Sequence, residues 1–187
     1  GFSLNSTSFY STDEQVARSG DDSVRLSDRG IAQYQYEGGV GGGLFPIPGW
    51  GEKGALFNSV ETCRQIALSA LGARCGEARL YLRSVTETEG GWEIDFGYSL
   101  NGVPVLTEGR HAARFLVRGG GVVQFSLYLR SYASGAAPCL VLPPRQGAAA
   151  LAARSLEGAE LLLTYSDSGG DTVSAGWSAR DNRREEG

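Results

Sequence analysis

The chain has 187 residues, 41% of them apolar and 20% charged, with a formal net charge of −4. Such a chain can bury a real core, and its negative balance argues against non-specific nucleic-acid binding, which needs a basic surface. Lys53 is the only lysine beside sixteen arginines, and there are 28 glycines, a skew that reads as codon bias of a GC-rich genome.

Residues 1–20 are rich in Ser, Thr, Asp and Gly, with one helical turn expected over Asp13–Arg18. Val24 to Tyr36 reads as a hairpin turning at Ser27-Asp28-Arg29-Gly30. Five glycines then fall within Glu37–Gly43, followed by Phe45-Pro46-Ile47-Pro48-Gly49-Trp50. Glycine loosens the first part and proline extends the second, so residues 38–54 read as a connector.

Ala55 to Leu71 is the clearest helix. Asn58 and Glu61 have capping-box spacing, and Val60, Cys63, Ala67 and Leu71, flanked by Ile66 and Ala70, form an apolar stripe. Gly72 and Gly76 stop it. Strands follow over about 78–88, 91–100, 103–107, 111–118 and 122–132. Trp92, Ile94, Phe96, Tyr98 and Leu100 alternate with Glu93, Asp95, Gly97 and Ser99. Asn101-Gly102 then gives the strongest short hairpin signal, since both residues tolerate positive φ. Gly119-Gly120-Gly121 joins the pair around Phe115 and Phe125. Residues 138–144 read as extended, Arg145–Leu156 as an alanine-rich helix, and Glu160–Ser166 with Thr172–Ser178 as a closing hairpin.

This order, with short connections between strands, predicts an α+β fold: a twisted antiparallel sheet of about five to seven strands with one or two helices packed on one face. The expected organisation is an N-terminal segment over 1–54, a sheet domain over 55–180 and a frayed tail over 181–187. No apolar run approaches the ~18 residues that span a bilayer. With no methionine and an opening Gly1-Phe2, the chain reads as processed, with a signal or anchor helix expected upstream.

Catalytic signatures are sparse. His111 is the only histidine; no GxSxG elbow accompanies it, and it is expected at a surface or edge. Glu93 and Asp95 share a strand face, as solvated charges would. Asp167 and Asp171 flank a Ser-Gly-Gly turn that suits a hairpin tip as well as it would calcium. Gly38–Gly43 lacks the Gly-Lys-Ser/Thr of a phosphate loop. Cys63, Cys75 and Cys139 contain no CxxC and lack histidines for a zinc set; a Cys63–Cys75 bridge and separate thiols both stay open. Arg114, Arg118 and Arg130 either line one anion-binding face or sit at solvated strand edges. The expectation is therefore no enzyme, no cofactor and no metal. Tyr81, Tyr128, Arg130 and Tyr132, with Gln124 and Ser126, have the mixed aromatic and polar character of a protein-contact surface; Tyr128 and Tyr132 serve equally as caps on the sheet.

Gly91-Trp92-Glu93-Ile94-Asp95-Phe96-Gly97-Tyr98, followed by Asn101-Gly102-Val103-Pro104-Val105, resembles the aromatic strand and Asn-Gly-hydrophobic-Pro stretch of YycH/YycI-type proteins. Phe115-Leu116-Val117, Leu129-Arg130-Ser131-Tyr132, Leu142-Pro143-Pro144-Arg145 and the strand ending in Trp177 follow in matching order. The resemblance covers roughly residues 55–178, and PepSY-type domains share the helix-plus-hairpins plan. It implies a membrane-anchored bacterial protein with an extracytoplasmic α+β domain that modulates a sensor histidine kinase and has no catalytic residues. A PepSY- or cystatin-like module that binds or inhibits a peptidase is the alternative.

Overall fold

A computed structural model describes residues 7–10, 13–41, 43–135, 139–153 and 159–180. Eleven strands and two helices follow one another: β1 (Thr7–Tyr10), β2 (Glu14–Ser19), β3 (Asp22–Ser27), β4 (Ile31–Tyr36), α1 (Ala55–Leu71), β5 (Arg79–Thr88), β6 (Gly91–Leu100), β7 (Val103–Thr107), β8 (Ala113–Arg118), β9 (Gly121–Tyr128), α2 (Pro144–Ala152), β10 (Glu160–Asp167) and β11 (Ser174–Arg180). The fold is α+β, with all eleven strands in one sheet, more than the five to seven expected.

β6 is the branch point. One of its edges pairs with β5 along almost its whole length. The other takes β8 beside residues 91–96 and β7 beside residues 98–100. From β8 the sheet continues through β9, β4, β3 and β2 to β1; from β7 it continues through β10 to β11. β7 and β10 run parallel, pairing Val105 with Tyr165, which corrects the expectation of purely antiparallel pairing. Asn101 (φ 53°) and Gly102 (φ 79°) make the predicted tight turn between β6 and β7.

Register explains why the sheet has one buried face. One row crosses it as Val85, Ile94, Phe115, Phe125, Tyr34, Val24 and Ala17, all apolar or aromatic. α1 lies against this face on β6, β8 and β9, burying Ala55, Ser59, Cys63, Ala67 and Leu71 at every fourth position. Its start differs from the capping-box expectation: Gly54 is the N-cap, and Asn58 instead donates its side-chain amide to Pro48 O (3.0 Å). α2 covers the same face further along. Trp177 shares strand parity with Tyr165 and Val105, and its ring lies so close that a Cβ on Gly147 of α2 would stand 2.5 Å away.

The N-terminal strands join this sheet through β4–β9 pairing. Residues 14–19 are a strand, so the expected helical turn over 13–18 is corrected. Residues 38–54 do more than connect: Phe45 packs edge-on against Tyr34, Trp50 against Trp92, and Ile47 is buried. The second helix ends at Ala152, short of the expected Leu156, and residues 154–158 and 181–187 lie outside those described. No helix among the described residues is long and apolar enough to cross a membrane.

Candidate protein-contact site

The face opposite the helices carries polar rows. Asp95, Arg114, Ser126, Gln33 and Arg25 stand side by side across β6, β8, β9, β4 and β3. The adjacent row reads Glu93, Leu116, Gln124, Gln35 and Ser23. Gln33, Gln35, Gln124, Arg25 and Arg114 are exposed. Strand alternation produces both faces at once, since the residues between the apolar ones must point away from the core.

Within this polar face Asp95 departs from the solvated charge expected of it. It is 5% exposed, because a neighbouring strand supplies a matched cation. Arg114 Nε and Nη2 donate to its two carboxylate oxygens at 2.9 and 3.2 Å, and Ser84 Oγ adds a third bond at 3.2 Å. Glu93 stands 3.7 Å from Arg114. His111 joins the cluster instead of lying free at an edge: Arg114 Nη2 approaches its Nε2 at 2.5 Å, while its buried Nδ1 lies 3.7 Å from Asp95 and makes no hydrogen bond. Burial holds the imidazole below its ordinary pKa of 6.5, with Arg114 and Arg83 acting the same way against the opposing pull of Asp95. In the neutral tautomer Nε2 accepts from the guanidinium and Nδ1 carries the proton.

The residues expected at a contact surface divide between the two faces. Tyr128 lies at the end of β9 on the open-face side, its ring covered by Arg110, whose guanidinium carbon is 5.0 Å from the ring centroid. Arg110 is placed by the turn between β7 and β8, where Thr107 Oγ1 donates to its carbonyl (2.6 Å). Tyr81 also faces the open side, on β5 over Gly97; a Cβ there would come 2.7 Å from the Tyr81 ring. β6 and β8 separate Tyr81 from β9, so it does not join Tyr128. Gln124 and Ser126 do share that side of β9.

Arg130 and Tyr132 instead converge on Asp167, at the end of β10. Arg130 Nε and Nη2 donate to its carboxylate at 3.0 and 3.2 Å, and Nη2 also donates to the Gly170 carbonyl; Tyr132 Oη donates at 2.8 Å and Gly169 N–H at 2.8 Å. The Asp167 side chain is fully buried. Burial alone would raise its pKa, but the bonds from Gly169, Tyr132 and Arg130 prevail and hold it below the usual carboxylate value. Tyr132, itself buried against Tyr98, supports the site from beneath and does not line it. Arg130 is thereby drawn away from Arg114 and Arg118, and the three do not form one anion-binding face.

Asp171 is exposed on the β10–β11 turn while Asp167 is committed to Arg130. Among the described residues no three His, Cys, Asp or Glu side chains gather as metal ligands. All three cysteines are free; burial pushes the Cys63 thiol up to about 12, and Cys139 is exposed. Sequence reasoning missed Arg110 and the burial of Asp95. Arg110 follows a Glu-Gly pair in a turn and has no periodicity to mark it. Compared with known proteins, the chain matches no family model, no curated protein and no solved structure.

Proposed function

We propose that this chain is a non-enzymatic protein-binding or regulatory domain whose open sheet face is the contact surface. The observation that carries the reading is the pair of rows, polar at every position but Leu116, running across five strands with both helices packed on the opposite side. Arg110 at one end, exposed above the buried Tyr128 ring, supplies the kind of guanidinium group on which protein contacts concentrate.

A hydrolytic reading draws on the convergence of Glu93, Asp95 and His111. It fares worse because the groups a catalyst would use are already engaged by Arg114. Both oxygens of Asp95 accept from Arg114, and His111 Nε2, the nitrogen a general base would use, faces the same guanidinium. A base held by a neighbouring cation is poorly placed to take a substrate proton.

The resemblance to YycH/YycI-type proteins supports an extracytoplasmic location, a native membrane anchor upstream, and a membrane sensor kinase or cell-envelope protein as partner. Co-purification from cell envelopes with the anchored full-length protein tests this. A Gln35→Glu/Gln124→Glu double variant loses the partner, while Gln65→Glu on α1 keeps it. Retention by the double variant would reject the open face. Against the alternative, a PepSY- or cystatin-like inhibitor, the expected result is no inhibition of secreted peptidases.

A further inference from the structure

Two depressions adjoin Tyr128, and they differ in charge. The larger, about 630 Å³, lies among the loops at the sheet end and mixes signs, with Asp28, Glu108 and Asp167 beside Arg29, Arg110 and Arg130. The smaller, about 140 Å³, opens on the sheet face between Arg110, His111, Arg114, Ser126 and Tyr128, and no carboxylate lines it. A volume of that size suits one side chain.

Arg110, Arg114 and Arg130 line these depressions, and two of them show how this protein holds a carboxylate. Arg114 grips Asp95 and Arg130 grips Asp167, each through Nε and Nη2. Arg110 has no carboxylate partner among the described residues. Its guanidinium carbon lies over the Tyr128 ring, 5.0 Å from the centroid, and the residue is exposed, so its N–H donors remain available to a ligand. Across the pocket, Arg114 makes its bonds to Asp95 and His111 through Nε and Nη2 only, so Nη1 is spare. The nearby negative charges do not line this pocket: Asp95 and Glu93 are engaged by Arg114, and Glu108 lines the larger cleft.

We propose that the smaller pocket is a subsite for an acidic side chain, glutamate or aspartate, carried by the protein segment that lies across the open sheet face. The inference rests on the protein-binding reading above and adds the chemistry of the partner. Arg110 is the principal donor, Arg114 Nη1 the second, and Tyr128 the platform that keeps Arg110 in place. The chain's own charge of −4 opposes indiscriminate attraction of acidic peptides, so such binding reports a local site.

The test titrates the full chain with hexaglutamate and with hexaglutamine at low salt, following backbone amide resonances. Hexaglutamate shifts the amides of Arg110, His111, Ser126 and Tyr128, and hexaglutamine does not. Arg110→Gln weakens hexaglutamate binding by about tenfold, the scale of one charge-assisted fork. Arg110→Lys falls between the two, and Arg25→Gln, a cation on the same face two strands beyond β9, changes it by less than about twofold. Arg110 makes no ion pair within the described residues, so its replacement leaves folding intact, which the unshifted amides of β6 check. Equal binding by Arg110→Gln, or no shift with hexaglutamate, overturns the subsite. Panning a random peptide library separates the two levels: neutral peptides that shift Gln33 and Gln124 overturn the acidic subsite alone, and a library with no peptide that shifts any open-face amide overturns the contact face as well.

Discussion

Two buried carboxylates, Asp95 and Asp167, show how single residues organise this molecule. Each is removed from water only because an arginine from another element meets both its oxygens, so removing one partner strands the other. Asp167→Asn keeps the shape but leaves Arg130 facing a neutral amide; the expected loss is about 3 kcal/mol, at the low end for a broken buried pair because Arg130 retains some exposure to water. Urea denaturation at neutral pH measures it. His111 makes a second prediction. Its folded pKa is depressed below 6.5, so the unfolded chain binds the proton more readily, and stability falls as pH drops below about 6.5 until the folded imidazole also titrates. His111→Gln removes that dependence. A wild-type denaturation midpoint that stays flat between about pH 7 and 5 would contradict the neutral, half-buried imidazole.

At the scale of elements, much was legible because the signals are local. The i, i+4 stripe fixed α1 at Ala55–Leu71, and alternation with Asn-Gly fixed β6, the turn and β7. Other features depend on partners remote in sequence. The parallel pairing of β7 with β10 joins segments some sixty residues apart and leaves no trace in either. Likewise, alternation assigns Asp95 to the polar face but cannot show that Arg114 and Ser84 will enclose it. The helix start went to Gly54 because the connector folds back and takes Asn58 for Pro48. Gly91 illustrates a constraint visible only in the sheet: a Cβ there would lie against the Val117 carbonyl oxygen of β8. Gly91→Ala therefore forces β6 and β8 apart, at about 3 kcal/mol or more, read from the denaturation midpoint. Leu71→Ala, emptying a fully buried site of α1, costs about 2–5 kcal/mol by the same measurement.

Over the whole molecule, the apolar row from Val85 to Ala17 runs through strands of the N-terminal segment and of the middle of the chain. Tyr34, Phe45, Phe115 and Phe125 pack as one aromatic group linking β4, the connector, β8 and β9. The chain is expected to unfold in a single transition, with tryptophan fluorescence from Trp50 and Trp92 coinciding with far-ultraviolet circular dichroism; separate midpoints would mean that the N-terminal strands are an independent unit. The same continuity makes the polar face broad enough to carry a partner segment. Site-specific photocross-linking from that face tests the central claim most directly. A benzoylphenylalanine at Gln124 on β9, in the anchored protein in its native membrane, is predicted to cross-link to a second protein, whereas one at Leu68, exposed on α1, is not. Cross-linking from Leu68 but not from Gln124 would place the contact on the helical side and contradict the account.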